Sequence, residues 1–382
     1  MGLIDRTLGA LGLERRSTVT SGKWDSLFSD GSSPISVRTA ENISTVLACT
    51  SAISSALAYI PALVYQKDSS GNRTEAFGHP LTRLTHSGPN QAMTWPELIE
   101  HFVASTLLHG NALLEIQTGN RGELTGLLFH PWGNVSVQRL ASGRLGYDVS
   151  EPYASGRTRR LLQDEVIHLK DRTDDGMIGR SRLARASQTV AGVAAANNFA
   201  KSILDNGGYP SGVIGHAGVI GAEQRSKLRA SFQERHGGTD NAGRVLILDG
   251  GLTWNAAQIS PEDAELLESR RFGVEEICRL YQVPPPLVQD YSHNTFTNSE
   301  TAGRWFAQFT LAPWARKIEA AFAQSLFTPG SGLEMELDLS GFLRGDPAAR
   351  WQSHKIAIET GVLDPDEVRL IEGWNARQQA TL

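Results

Sequence analysis

Two long helical segments that flank three consecutive prolines constrain the fold more than any other feature of the sequence. The first segment begins at Ser260-Pro261-Glu262-Asp263, which supplies a hydroxyl N-cap, a proline at the first helical position and two carboxylates near the positive end of the helix dipole. It runs to about Gln282 and would be about 33 Å long at 1.5 Å per residue. Val283-Pro284-Pro285-Pro286 ends it, because proline lacks the backbone donor and moves the preceding residue out of the helical region.

A polar loop and a second helix follow the prolines. The second helix is predicted over 299–327, where Glu300 and Arg304 form a supporting pair and Pro313 introduces a kink. In a monomer, a plain connection between helices would explain the loop. Its place between two long helices also makes it a candidate for a mobile functional loop. The loop comprises Asp290, Tyr291, Ser292, His293, Asn294, Thr295, Phe296, Thr297 and Asn298.

The composition limits the class of protein. A chain of 382 residues with 40% hydrophobic residues can bury a sizeable core, and its length predicts two or three domains. A net charge of −5 does not suggest a tight nucleic-acid binder, which normally carries a basic excess. Cys49 and Cys278 lie far apart within helical patterns and predict reduced, buried thiols. No apolar run is long enough for a membrane helix, and the N-terminus has no secretory core.

The first half of the chain predicts an α+β domain over residues 35–175. Residues 1–34, rich in Ser, Gly and Thr, are expected to form a flexible arm. A helix is predicted from Thr39 to Pro61, and a capping box at Thr94-Trp95-Pro96-Glu97 opens another helix. The apolar period then changes from helical to alternating, which predicts an antiparallel meander packed by these helices. The strand candidates are 63–66, 112–117, 124–129, 135–140, 145–149 and 166–169.

The middle of the chain predicts a small insert between two long helices. A third long helix is expected over residues 181–206, and its residues 191–196 are all small, which lets another backbone approach closely. The insert, residues 207–259, separates this helix from the one at Ser260 and is therefore expected on a two-helix stalk. Its predicted elements are strands at 211–214, 245–248 and 252–259 and a helix at 222–236. After the second half of the domain, a strand at 333–339 and two short helices are predicted, which begin at Asp346-Pro347 and Asp364-Pro365.

The usual motifs of catalysis and cofactor binding are missing from the sequence. It has no phosphate-binding P-loop, dinucleotide glycine fingerprint, serine nucleophile elbow or zinc-type His/Cys spacing. We therefore predict no catalytic residue, no cofactor and no metal site. A hydrolase that uses His109 and Asp174 is a less favoured alternative. The remaining ambiguous groups have simpler explanations. Ordinary histidines explain His79, His86 and His101, a turn explains Asp175, and helix capping explains Asp364 and Asp366.

Two further groups have both a binding and a structural interpretation. Trp305, Phe306 and Phe309 could stack on nucleic-acid bases, but an aromatic stripe at helical spacing more often packs in a core. Arg270 and Arg271 could contact phosphate, but neighbouring glutamates favour ion pairs within or between helices. We expect the structural role in both cases.

A series of short motifs in a fixed order covers nearly the whole chain after Pro34. The motifs are His79-Pro80-Leu81, Pro89-Asn90, Leu108-His109-Gly110-Asn111-Ala112, Gly179-Arg180-Ser181, Pro210-Ser211-Gly212-Val213-Ile214, Asn241-Ala242-Gly243-Arg244-Val245, Leu248-Asp249-Gly250-Gly251, Ser260-Pro261-Glu262-Asp263, Val283-Pro284-Pro285, Thr295-Phe296-Thr297-Asn298-Ser299-Glu300 and Leu311-Ala312-Pro313-Trp314. The series resembles the phage portal proteins of long-tailed phages and gene transfer agents. No single motif is specific, whereas the ordered series is.

The resemblance implies a portal fold that assembles as a ring of twelve subunits at one capsid vertex. Double-stranded DNA would be packaged and later ejected through the ring. The implied partners are the terminase large subunit, a head–tail adaptor, the major capsid protein and further copies of the chain, with no membrane involved. The implied location is the virion, after assembly in the cytoplasm of the bacterial host. No enzymatic activity is implied, and another ring-forming virion adaptor is the alternative.

The resemblance also divides the chain into parts. The wing would comprise residues 35–180 and 284–345, and the crown residues 346–382, which are too few for a large extension. Stem helices at 181–206 and 260–283 would carry a clip at 207–259. The tunnel loop, 288–298, would line the channel in front of the kinked helix 299–327. Ring contacts along the stem are expected at Ala191, Ala194, Ala195, Arg270, Arg271 and Glu275.

Overall fold

The computed structural model describes residues 36–151, 157–205, 212–216, 221, 223, 226–227, 252–256, 261–291, 297–343, 347–372 and 374. The expected N-terminal arm, the predicted strand 245–248 and most of the predicted helix 222–236 lie outside these residues. The helices are α1 (Val37–Glu41), α2 (Ser44–Tyr59), α3 (Pro80–Ser87), α4 (Trp95–His109), α5 (Arg182–Arg185), α6 (Ser187–Asp205), α7 (Pro261–Tyr281), α8 (Thr297–Trp305), α9 (Ala312–Leu326), α10 (Ser340–Leu343), α11 (Pro347–Glu359) and α12 (Pro365–Ile371).

The described strands form small antiparallel sheets. The strands are β1 (Ala62–Lys67), β2 (Arg73–Glu75), β3 (Asn111–Thr118), β4 (Leu124–His130), β5 (Val135–Arg139), β6 (Leu145–Glu151), β7 (Arg157–Leu162), β8 (Val166–Lys170), β9 (Gly212–His216), β10 (Leu252–Ala256) and β11 (Leu333–Leu337). They pair in the orders β4-β3-β8, β5-β6-β7, β11-β1-β2 and β10-β9. In the first sheet, Leu113 of β3 lies opposite His130 on one side and His168 on the other.

The chain divides into two compact units. The larger unit comprises residues 1–191 and 274–382, and the smaller unit comprises residues 192–273. Both boundaries therefore fall inside long helices, α6 and α7. In the larger unit, α2 packs against α4, and α4 packs against β3. Cys49 and Cys278 are both free and buried, which confirms the expectation for the two thiols.

Most predicted elements of the larger unit are present. The capping box is confirmed, because the Glu97 carboxylate accepts from the Thr94 amide (2.7 Å) while the Thr94 hydroxyl accepts from the Glu97 amide (3.5 Å). The predicted helix 39–61 is instead two helices, since the chain leaves helical geometry between α1 and α2. Strands β2 and β7 and helix α3 were not predicted. Among the described helices, none is long and apolar enough to cross a membrane.

The predicted helix 299–327 departs from regular α geometry before its proline. It begins at Thr297, two residues earlier than expected, and passes through a π-helical segment, Phe306–Leu311, before α9. Pro313 lies in the first turn of α9 and has no amide hydrogen to donate to the preceding turn. The distortion is therefore a π segment rather than a simple proline kink, and π segments often occur at functional positions.

Candidate functional site

A charged cluster around the buried Asp171 side chain joins the start of α5 to the end of the long helix α7. Arg182, the first residue of α5, donates through Nε to Oδ2 of Asp171 (3.1 Å) and through Nη1 to the Leu280 carbonyl at the end of α7 (3.0 Å). Lys317 of α9 donates to the other oxygen of Asp171 (3.3 Å). The Asp171 side chain is only 6% exposed. Arg182 thus joins the start of α5 to the end of α7, and the Asp171 carboxylate joins Arg182 to Lys317 of α9.

Aromatic rings surround the cations of this cluster. The Arg182 guanidinium lies 5.5 Å from the ring centre of Trp314 and 5.9 Å from that of Tyr281, and the Lys317 ammonium lies 4.7 Å from Trp314. Such cation–π contacts favour a cation that is partly removed from water. They hold the two basic side chains over the same indole ring.

Two of the sequence motifs meet next to the cluster. The Asn111 side chain donates to the Gly179 carbonyl and accepts from the Gly179 amide, both at 2.7 Å. Gly110 has a φ of +81°, and a Cβ built on it would lie 2.5 Å from the Ser181 amide nitrogen. Both glycines are therefore required by a close backbone contact that sets the start of α5.

The proline connector after α7 has strained ends. Gln282 (φ 60°) and Gln289 (φ 63°) are the non-glycine residues with positive φ in the described part of the chain. Such a backbone is uncommon for side chains of this kind. The amide of Gln289 donates back into the prolines, and the Thr310 hydroxyl of the π segment donates to the Gln282 carbonyl. The connector is thus fixed against the π segment at one end and leads into the predicted loop at the other.

The predicted loop is only partly within the described residues. Tyr291 is 61% exposed, and Asp290 is half-buried. Residues 292–296 (Ser292, His293, Asn294, Thr295 and Phe296) lie outside the described residues. Thr297 and Asn298 belong to α8, so the loop ends two residues earlier than predicted. The loop also begins later than the predicted residue 288, because a 3₁₀ turn covers Pro285–Val288.

The predicted ring-contact residues of α6 and α7 lie on accessible helix faces. Ala195 is exposed, and Ala191 and Ala194 are half-buried. The expected ion pairs of Arg270 and Arg271 are not formed with any described residue, and both arginines are exposed. Glu275, one of the glutamates expected to pair with them, is instead bound to Arg279, one turn further along, at 2.5 Å.

The two long helices also approach each other closely. A Cβ built on Gly273 of α7 would lie 3.0 Å from a methyl carbon of Val193 in α6. This contact lies in the stretch of small residues that was predicted to allow a close approach. Sequence analysis did not identify Gly273 as the residue that this stretch contacts.

The aromatic stripe that follows the predicted loop in the sequence is divided between the core and the surface. Phe306 is buried (6% exposed), whereas Trp305 and Phe309 are 60% and 58% exposed. The core interpretation is therefore correct for Phe306 and wrong for the other two. The exposed rings line an open cavity of about 260 Å³. The end of α7 and the prolines form its other walls, with Glu275, Cys278, Arg279, Gln282, Val283, Pro284 and Pro285.

The other ambiguous groups have structural partners. His79 caps α3 by accepting from the Leu81 amide (3.2 Å), and burial lowers its pKa. Asp174 pairs with Arg185 (2.6 Å), and this hydrogen bond lowers the pKa of its carboxyl group. Asp175 accepts from two amides of the following turn. Within the described ranges, no group of three or more His, Cys, Asp or Glu residues could hold a metal ion.

The most strongly shifted carboxylate lies inside the paired sheets. Burial alone would raise the pKa of Glu115, but hydrogen bonds from His130 and Arg159 lower it to about 2. His130 approaches to 2.8 Å, and Arg159 also binds Glu151 (2.6 Å). The cluster joins β3, β4, β6 and β7, so its role is to tie the two sheets together.

Comparison with known proteins supplies the family. The model of the phage portal protein family matches residues 44–373. The portal protein of Enterobacteria phage HK97 is 31% identical over 346 residues, which is 89% of this chain and 80% of that protein. The probable portal protein of Streptomyces phage phiC31 is 28% identical, over 86% of this chain and 74% of that protein.

A solved structure agrees over almost the whole chain. A chain in the neck of a native gene transfer agent particle, computed with C12 symmetry, has a TM-score of 0.66 and 25% identity and covers 98% of this chain and 100% of that chain. The family match, the sequence relatives and the shared fold agree with the ordered motifs and the α+β architecture. The chain therefore belongs to the phage portal protein family.

Proposed function

We propose that this chain is the subunit of a twelve-membered ring at one vertex of a capsid, through which double-stranded DNA enters and leaves the particle. The observation that carries the proposal is the similarity over 98% of the chain to the chain in the gene transfer agent neck that was computed with C12 symmetry. The family consists of structural virion proteins and not of enzymes, so the hydrolase alternative is set aside.

The parts of the chain have distinct roles in this proposal. Helices α6 and α7 form the stem, and residues 207–259 form the clip that meets the terminase and later the head–tail adaptor. Residues 35–180 and 284–345 form the wing, with the major capsid protein as a partner of the ring, and residues 346–382 form the crown. Residues 290–296 form the tunnel loop. The exposed faces of Ala195, Arg270 and Arg271 support a role for the stem in contacts between subunits.

The electrostatics suit a channel through which DNA slides. A dense lining of Lys and Arg would hold the phosphates with a strong, salt-dependent attraction. The chain has 36 basic and 41 acidic residues, and the predicted tunnel loop carries no Lys or Arg. Small polar side chains in this loop would contact the duplex without anchoring it.

The mass and shape of the purified assembly test the proposal. Twelve copies of the 41.5 kDa chain give about 500 kDa. We expect a species of this mass by mass photometry and, by negative-stain microscopy, a ring whose hole admits duplex DNA. A chain that stays monomeric or dimeric at every concentration and salt, alone and when co-expressed with its capsid and terminase proteins, would contradict the proposal.

A packaging assay separates a portal from another ring-forming adaptor. Particles assembled without this protein should take up no DNA, whereas particles that lack only an adaptor should still fill, because an adaptor would join the ring after packaging. Deletion of residues 292–296 from the tunnel loop should preserve the ring and reduce DNA packaging. Normal packaging without the protein would favour the adaptor alternative.

A further inference from the structure

The two thiols of the chain meet where helix α2 lies against the end of α7. Cys49 belongs to α2 and Cys278 to the last turn of α7, and neither exposes more than 2% of its surface. A hydrogen bond joins the two side chains, although they are far apart in the sequence. The chain has only these two cysteines, so both of them are brought together in one contact.

The hydrogen bond gives the two thiols different reactivities. The S–H group of Cys49 donates to the sulfur of Cys278, and this bond together with burial raises the pKa of Cys49. The same bond lowers the pKa of Cys278. Because the thiolate and not the thiol is the nucleophile, Cys278 is the more reactive of the two sulfurs.

The two thiols also differ in access from solvent. Cys278 lines the open cavity of about 260 Å³ at the end of α7, whereas Cys49 is not among the described residues that line it. A water molecule occupies about 30 Å³ in the liquid, and hydrogen peroxide is only slightly larger. A small oxidant can therefore reach the Cys278 sulfur through this cavity without unfolding the chain.

We propose that Cys278 and Cys49 form an oxidisable thiol pair, in which a peroxide oxidises Cys278 and Cys49 then closes a disulfide between α7 and α2. In the first step, the Cys278 thiolate attacks one oxygen of hydrogen peroxide. The O–O bond breaks, Cys278 becomes a sulfenic acid, and the other oxygen leaves as hydroxide and takes up a proton to give water.

The second step forms the disulfide. The Cys49 sulfur attacks the sulfenic sulfur of Cys278 as the Cys49 thiol loses its proton. The S–O bond breaks, and the oxygen leaves as a second water molecule. Overall, two thiols give two electrons to one peroxide, and the products are one disulfide and two molecules of water.

The disulfide would restrain the end of α7 and the proline connector. The Cys278 carbonyl accepts from the Val283 amide (3.0 Å), so the turn that carries this thiol also begins the connector. Helix α2 packs against the 3₁₀ turn Pro285–Val288 and against the π segment. A covalent link across a long stretch of chain also limits the unfolded state, so oxidation should stabilise the larger unit.

The chemistry is contained in one subunit. Only its timing rests on the proposed function, since a particle that leaves its host passes from a reducing cytoplasm to oxidising surroundings. The thiols would then be reduced during assembly and become oxidised after release.

Peroxide treatment of the full-length chain tests the proposal. The chain is purified in reductant, desalted, treated with hydrogen peroxide and blocked with N-ethylmaleimide. We expect an intact mass that is lower by two hydrogen atoms, and a peptide pair joining Cys49 and Cys278 that dithiothreitol separates. The oxidised chain should unfold about 5 °C or more above the reduced chain. Thiols that react only after unfolding in urea, or a disulfide that forms only between copies, would overturn the proposal.

Single-cysteine variants test the roles of the two thiols. In Cys49→Ala, Cys278 should form a sulfenic acid that dimedone labels. Cys278→Ala is the matched control, and its remaining thiol should be labelled about tenfold more slowly or less, because it is protonated and lies away from the cavity. Equal labelling of the two variants would refute the assigned order of attack. Circular dichroism checks their folding, and the oxidation of the unmodified chain tests the pair even if a variant does not fold.

The failure of this inference and that of the proposed function are distinguishable. If the chain forms the disulfide and no ring, the proposed function fails and the thiol pair stands. If the chain forms rings and its thiols resist peroxide, only the inference fails.

Discussion

Replacing Arg182 should destabilise the larger unit more than any exposed arginine. The Arg182 side chain is 16% exposed and Asp171 is 6% exposed, so the pair is largely removed from water. Removing one partner from a buried pair typically costs about 3–5 kcal/mol. Lys317 remains 3.3 Å from the other oxygen of Asp171, which places Arg182→Ala near the lower end, at about 3 kcal/mol.

A lysine at this position separates charge from geometry. Arg182→Lys keeps the positive charge near Asp171. A single ammonium group cannot reproduce the planar fork that reaches both Asp171 and the Leu280 carbonyl. A hydrogen bond from a charged donor contributes about 1.5–3 kcal/mol, so we expect this variant to lose about half as much stability as Arg182→Ala.

Urea unfolding with tryptophan fluorescence measures these differences, because Trp314 lies next to the Arg182 guanidinium. A loss of about 3 kcal/mol moves the midpoint by about 1 M at a slope of about 3 kcal/mol/M. The matched control is Arg144→Ala, since Arg144 also pairs with an aspartate, Asp164, but the two side chains are 41% and 68% exposed. That variant should lose less than about 1 kcal/mol. Equal losses for the two alanine variants would refute the argument from burial.

Two further predictions concern the interior of the larger unit. The Glu115 pKa of about 2 lies below that of a free glutamate, so its stabilisation is present above about pH 4.5 and is lost as the pH falls toward 2. The unfolding free energy of the unmodified protein should therefore fall by up to about 3 kcal/mol more than that of Glu115→Gln over this range, measured by urea unfolding at several pH values; parallel curves would contradict the shift. Gly179→Ala should cost about 2 kcal/mol or more in thermal unfolding, because its Cβ would lie 2.0 Å from the Gly110 carbonyl oxygen, whereas Gly133→Ala, with no atom within 4 Å, should be neutral.

The sequence predicted elements best where a local signal was sufficient. The capping box at Thr94 and the proline after Ser260 mark helix starts through contacts within one turn. Strand β7 was missed because its residues include three arginines and show little apolar alternation. In the structure, Arg159 and Arg160 pair with Glu151 and Asp148 of β6. Cross-strand ion pairs therefore supply what apolar alternation supplies elsewhere, and their partners lie too far along the chain for a pattern to show.

The candidate site was less predictable, because its contacts join distant parts of the chain. Nothing local to Arg182 indicates that Asp171, Leu280 and Lys317 surround it. Periodicity correctly placed Trp305 and Phe309 on one helical face, but a period does not reveal what covers that face.

The ordered motifs identified the family because their residues make structural contacts within the fold and are not reactive groups. Asn111 and Gly179, from two separate motifs, bind each other through both backbone groups of the glycine. Asn90 of another motif caps its own turn and donates to the Leu127 carbonyl (2.9 Å). A ring-forming conduit performs no chemistry on its cargo, so its sequence has no reason to carry a catalytic signature. What it must keep is the geometry of its own fold, and that geometry depends on contacts of this kind.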